Sequence, residues 1–247
     1  MTKGKQMPPQ RPPTPMVRQS AIRPISLLLL DVGGPIYDDA SYVRALLAGL
    51  LDLAGGVDEE KFREVYERQR QRQLGSLRQA LTDQFLGGGD RDRLTKAAAA
   101  HWRYGPEDLH DDVLPVIELL AGRYRLGVVA NQRSQVRQAL ERDGVAPFLD
   151  VWAISDDVGA EKPDPRIFQH ALRSAGVPAR DAVHIGNRLD TDVRGAQRVG
   201  LRTVWLLRGE APSSPTIAQR DEPDAVIASI EELPAVLSVM EGGPDDQ

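Results

Sequence analysis

Apolar and polar positions along the chain change their period twice. From Ile25 to Val32 the run ISLLLLDV is short, apolar and stopped by Gly33, Gly34 and Pro35, which is the pattern of a strand buried on both faces. Between Tyr37 and about Asp112 the spacing becomes helical. Val43, Leu46, Leu47 and Leu50 recur at helical intervals, Phe62, Val65 and Tyr66 follow Asp58 as an N-cap, and Leu77, Leu81 and Phe85 precede a break at Gly87-Gly88-Gly89. After Pro115 helical and strand-like segments alternate: VIELLAGRY, LGVVA, VRQALERDG, VWAIS, PRIFQHALRSAG, AVHIG, VRGAQRVG, RTVWLL and DAVIASIEELPAVL. The alternation predicts an α/β protein with a parallel sheet covered by helices on both faces, and the stretch before it predicts a helical insert.

The expected organisation follows. Residues 1–24 are Pro-rich, polar and without period, and they read as a disordered tail. Residues 25–36 and 113–236 form the sheet core, residues 37–112 the helical cap, and residues 237–247 a second disordered tail. The chain shows no internal repeat and no heptad run.

Composition narrows the function classes. With 247 residues, 41% of them hydrophobic, the chain can bury one full core and a smaller unit. A mean hydropathy of -0.36 and the absence of any apolar stretch near the length of a span argue against a membrane protein. The formal charge of -5 gives no basic field for a nucleic-acid backbone. Small molecules are the expected ligands. Zero cysteine removes disulfides, thiolate zinc sites and cysteine nucleophiles together, and MTKGKQMPPQRPPTPM has no apolar centre to serve as a secretory signal, so the expected location is the cytoplasm.

Polar groups stand where apolar runs stop: Asp31 after ISLLLL, Asn131 after LGVVA, and Asn187, Asp190 and Asp192 after AVHIG. In an open parallel sheet such positions share the carboxyl edge, where ligands bind. Lys162, in EKPDP, joins them. It is one of five lysines (Lys3, Lys5, Lys61, Lys96 and Lys162) among 31 Lys plus Arg, and every other cation after Lys96 is arginine. A compact ammonium on a flexible stem suits a bridge between a carboxylate and a phosphoryl oxygen better than a planar guanidinium. His184 in a strand and His170 on a helix read as packing residues, and the three glycines at 87–89 lack the Lys-Ser or Lys-Thr of a phosphate loop.

Asp31 at the first strand end, Asn131 at the second, Lys162 before Pro163, and Gly186 leading to Asp192 resemble, in that order, the haloacid dehalogenase-like hydrolase superfamily, in its branch with a helical cap inserted after the first motif. The resemblance covers about residues 25–236 and implies an α/β fold with a Rossmann-like three-layer parallel-sheet core and an inserted α-helical cap. It implies Asp31 as nucleophile and Lys162 as charge clamp, with Gly34, Asn131 and Lys162 binding phosphate. It also implies magnesium as cofactor, held among Asp31, Gly33, Asn187, Asp190 and Asp192, since that ion takes one or two carboxylates with phosphate and waters. The implied activity is hydrolysis of a small phosphorylated metabolite through an aspartyl phosphate, by a monomer or homodimer with no nucleic-acid or membrane partner.

The sequence departs from the family's pattern at four places. Gly33 stands where phosphatases of the family carry a second aspartate, Pro35 where they carry threonine, Ala130 where a Ser or Thr hydroxyl is usual, and Asn187 where an acidic metal ligand is usual. Asp38, Asp39 or a residue of the cap could replace the lost leaving-group acid. The departures admit a second reading, a catalytically impaired binding or regulatory protein on the same fold. A third, a haloacid dehalogenase, needs neither magnesium nor a leaving-group acid.

Overall fold

A computed structural model describes residues 16–17 and 23–243; the rest of the two proposed tails lies outside the described residues. The apolar runs form one sheet. Its strands are β1 (Met16–Val17), β2 (Leu27–Leu30), β3 (Arg125–Ala130), β4 (Val151–Ile154), β5 (Ala182–Gly186), β6 (Arg202–Leu206) and β7 (Ala225–Ile227), in the order β1-β7-β6-β5-β2-β3-β4. Strands β2 to β7 are parallel, and β1 pairs antiparallel with β7. Met16–Val17 therefore departs from the expected unstructured lead-in: the outer edge of β7 offers free ladder groups, and a short antiparallel strand satisfies them.

The strand LLLL is buried at all four positions because helices cover both faces. Leu28 and Leu30 point into one apolar cluster with Ile117, Leu126, Leu140 and Leu237, while Leu27 and Leu29 point into another with Ile167, Phe168 and Ala171. This alternation is the strand's period of two.

The helical stretch after β2 carries α1 (Ala40–Ala54), α2 (Glu59–Arg72), α3 (Leu77–Phe85) and α4 (Asp92–His101). Leu46, Leu50, Phe62, Leu81 and Leu94 bury a separate apolar cluster there. Asp58 caps α2 as its position suggests, accepting from the Glu60 and Lys61 amides. Gly49 lets α1 approach α4 closely, since a Cβ there would lie 2.6 Å from the Ala98 nitrogen. The chain re-enters the sheet region through stacked Tyr37 and Tyr104, whose ring centroids are 4.3 Å apart.

The remaining helices are α5 (Val113–Ala121), α6 (Val136–Arg142), α7 (Ser155–Val158), α8 (Pro165–Ala175), α9 (Arg194–Gln197), α10 (Ile217–Arg220) and α11 (Leu233–Met240). Helix α11 corrects the C-terminal boundary. Residues 237–240 were expected in the tail, yet Leu233, Val236, Leu237 and Met240 recur at helical spacing and pack on the core. No helix among the described residues is long and apolar enough to cross a membrane.

Strand order positions the site. From β2 the chain builds one half of the sheet through β3 and β4, then crosses to β5 on the other side of β2 and builds outward through β6 and β7. Order reverses at the β2/β5 boundary, which opens a crevice beyond the strand ends. Leu30 pairs in register with Val128 and Ile185, so Asp31, the end of β3 and Gly186 reach the same level.

Candidate active site

Asp31, Gly33, Asp39, Lys162 and Asn187 line one side of a cavity of about 530 Å³ at this crevice. Tyr42, Arg78 and Trp102 of the helical insert line the side facing them. That volume lies in the range of small-molecule sites.

Lys162 is the centre of the floor. Its side chain is buried to 2% exposure, and its ammonium lies 2.8 Å from Asp31 Oδ1 and 2.6 Å from Asp192 Oδ1. Asp31 Oδ1 also accepts from the Val32 amide at 2.7 Å, whereas Oδ2 has no partner among the described residues. Burial pushes the Asp31 carboxyl up, and Asp192 adds to the rise while Lys162 opposes it, leaving a value of about 7. Burial also works against the charged form of Lys162, yet the two carboxylates outweigh it and raise its pKa.

Asp192 stands one layer behind this floor. It is fully buried and accepts from Lys162, from His184 Nε2 at 3.0 Å and from the Arg188 amide at 3.0 Å. Burial opposes ionisation here too, but Lys162 and His184 hold its carboxyl well below the usual range. His184, read from sequence as a packing residue, is therefore a hydrogen-bond partner of the site as well as an edge-on neighbour of Phe168. Burial lowers its pKa, against the pull of Asp192, and its Nε2 faces the Asp192 carboxylate. The turn that brings Asp192 back is wide: the amides of Asp192 and Val193 both bond the Arg188 carbonyl.

Gly186 makes this layer possible. A Cβ there would lie 2.3 Å from Asp192 Cγ. Gly186→Ala is expected to cost about 1–3 kcal/mol of stability, as overpacking usually does, and to push Asp192 off Lys162. A urea unfolding curve superimposable on that of the native protein would refute this.

Several residues proposed for phosphate or metal are engaged elsewhere. Both side-chain atoms of Asn131 go to the Lys162 backbone: Nδ2 donates to its carbonyl at 2.9 Å and Oδ1 accepts from its amide at 2.6 Å. Asn131 thus holds the loop carrying Lys162, because that loop has no strand partner for those groups. The Gly34 amide donates to the Tyr37 carbonyl at 2.7 Å, and Gly34 has a φ of +82°, so it makes a tight turn. Asp190 is gripped by Arg188 through both oxygens, at 3.0 and 2.9 Å. Ala130 is fully buried. Of the residues proposed for magnesium, Asp31 alone keeps a free carboxylate oxygen on the cavity, and the described residues contain no cluster of three or more acids or histidines placed to hold a metal.

The neighbourhood of Gly33 holds a carboxylate that no motif supplies. Asp39 is 7% exposed; its Oδ2 accepts from Asn187 Nδ2 at 2.9 Å and from the Glu210 amide at 3.0 Å. Burial, then Glu210 and Asp31, push its carboxyl well above the ordinary range. Asp38, its neighbour, is exposed and caps the Ala40 amide instead.

The helical insert is tied to the floor by backbone-directed bonds. Gln73, fully buried, donates to the Glu210 carbonyl and accepts from the Leu189 amide, and Arg188 donates to the Gly75 carbonyl. Arg78 and Arg91 both bond Glu161, the residue before Lys162.

The site is thus a parallel sheet with a carboxylate at the end of its central strand, bridged by a buried ammonium and faced by the helices that follow β2. The sequence model of the haloacid dehalogenase-like hydrolases matches residues 25–200, and the chain belongs to that family. It is 31% identical over 227 residues to the glyceraldehyde 3-phosphate phosphatase of Methanopyrus kandleri, an alignment covering 85% of this chain and 95% of that one. Among solved structures, a HAD phosphatase from Thermococcus onnurineus aligns with a TM-score of 0.60 at 24% identity, over 86% of this chain and 98% of the other. A 2-haloacid dehalogenase from Pseudomonas syringae aligns with a TM-score of 0.55 at 28% identity, over 87% and 99%.

Proposed function

We propose that this hydrolase is a phosphatase that transfers the phosphoryl group of a small phosphorylated metabolite to Asp31 and then to water. One observation carries the reading: Asp31 has one oxygen fixed by Lys162 and the Val32 amide, and the other open to the cavity. A carboxylate held this way presents a single oriented nucleophilic oxygen, and attack on phosphorus divides the hydrolysis into two easier displacements. Lys162 neutralises charge on Asp31 and on the incoming phosphoryl oxygens, while Asp192 and His184 keep the ammonium in place. Asn131 positions the Lys162 backbone. The relative from Methanopyrus kandleri, a glyceraldehyde 3-phosphate phosphatase spanning nearly its whole length, supports the substrate class.

Asp31, which lines the cavity, would be the carboxylate through which the site holds a magnesium ion, the other oxygens coming from phosphate and water. When bound, magnesium would polarise the phosphoryl group and offset its charge. Adding magnesium is expected to raise the melting temperature by mass action, and Asp31→Asn to remove the rise. An unchanged melting temperature in the native protein would count against the site.

The deciding experiment is a panel of phosphorylated metabolites, with a 2-haloacid beside them, assayed with and without magnesium on the native chain and on Asp31→Asn. Phosphate release by the native chain alone supports the reading. Saturable phosphate binding without release would select the impaired binding protein, and halide release the dehalogenase.

A further inference from the structure

We propose that Asp39 is the proton donor and acceptor of the reaction, its carboxyl standing over the position that Gly33 leaves vacant. The inference rests on the phosphatase reading and adds a catalytic residue to it. A Cβ built on Gly33 would lie 2.7 Å from Asp39 Oδ1. A side chain at position 33 would therefore start where the Asp39 carboxyl now sits. The other oxygen is lodged among glycines: Cβ atoms on Gly34 and Gly209 would fall 3.0 and 2.1 Å from Asp39 Oδ2. Three residues without side chains thus make a niche of the size of one carboxyl group. Asn187 and the Glu210 amide fix Oδ2 in it, whereas Oδ1 has no hydrogen-bond partner among the described residues and belongs to a cavity-lining residue.

The neutral Asn187 has a place in this arrangement. Its Nδ2 donates both to Asp39 and to the Arg208 carbonyl, and a carboxylate at position 187 could donate to neither. Gly33 and Asn187, each a loss when judged alone, together accommodate a carboxyl delivered from residue 39.

In the first step Asp31 Oδ2 bonds to phosphorus and the bond from phosphorus to the leaving oxygen breaks. Its electron pair stays on that oxygen, which takes the proton from Asp39 and departs as an alcohol. In the second step Asp39, now a carboxylate, takes a proton from the water that attacks the aspartyl phosphate. Phosphate leaves, Asp31 is restored as carboxylate, and Asp39 is again protonated.

The test is leaving-group dependence. Acetyl phosphate and 4-nitrophenyl phosphate leave without a proton, whereas an alkyl phosphate such as glyceraldehyde 3-phosphate needs one. In Asp39→Asn, kcat/KM for the alkyl substrate is expected to fall roughly 10²- to 10⁴-fold and that for the activated pair far less. Gly33→Ala should act in the same direction by displacing Asp39 Oδ1, without removing any ionisable group. It also covers the case in which Asp39→Asn fails to fold. Gly33 does not have a positive φ, so an aspartate fits its backbone once residue 39 is shortened. The double variant Gly33→Asp/Asp39→Ala is expected to recover at least tenfold of the alkyl activity lost by Asp39→Ala alone. Equal losses on both substrate classes, or none on either, would overturn the role of Asp39 while leaving the phosphatase reading intact. A native protein inactive on every phosphate would sink both.

Discussion

Asp31→Asn is expected to lose phosphatase activity by roughly 10⁴-fold or more and, in the same sample, to melt higher than the native protein. The loss follows from removing the nucleophile. The gain follows from charge. The buried floor holds one ammonium, Lys162, against two carboxylates, Asp31 and Asp192, so one negative charge is in excess. Burial raises the Asp31 carboxyl from 3.8 to about 7. A carboxyl whose folded value lies above its unfolded one adds stability that is whole below pH 3.8 and lost as pH rises through about 7. The neutral amide does not incur that loss. The difference in melting temperature between Asp31→Asn and native protein, without divalent cation, should thus be near zero at pH 4 and reach several degrees at pH 8. A difference that is flat across this range would show that Asp31 is not held at a raised pKa.

Lys162→Met is expected to destabilise the protein by about 3–5 kcal/mol, the usual result of removing one partner from a buried pair. Asp192 is fully buried and would keep, among the described residues, His184 and the Arg188 amide as partners. Activity should fall by about 10²- to 10³-fold or more, because the charge facing the phosphoryl oxygens goes with it. Lys162→Met/Asp192→Asn separates the two effects. Its unfolding free energy should recover most of the loss, and its activity should not. Recovery of activity in the double variant would mean that Lys162 acts only by satisfying Asp192. Lys162→Arg is not expected to substitute, since a side chain 2% exposed leaves no room for a planar fork.

The residues legible in sequence were those whose role follows from position along a strand. Asp31 and Lys162 meet as expected, because short apolar runs can be buried only as central parallel strands, and a polar residue ending such a run must emerge at the carboxyl edge. Helical period likewise announced the insert between β2 and α5, although Leu237 and Met240, read as tail, proved to be the last turn of a packed helix. Asn131 and Gly34 bond backbone groups that the sequence pattern does not name. Their places at strand ends say that they lie near the site, but not which backbone group their hydrogen bonds satisfy.

The sequence by itself determined the parallel part of the sheet, the order of its motifs and the pairing of one aspartate with one lysine, since burial and chain direction depend on local pattern. Only the tertiary structure decided what fills the gap at Gly33. Asn187 and Asp39 are 148 positions apart, and their contact exists because α1 begins beside the loop after β5, with Gly33, Gly34 and Gly209 leaving space between them. It also decided that Asp192 supports Lys162 from behind rather than facing the cavity, and that Arg188 binds Asp190. Spacing along a chain sets which residues reach an edge, whereas the direction of a side chain at that edge depends on which of many distant hydrogen-bonding groups it meets when the layers pack.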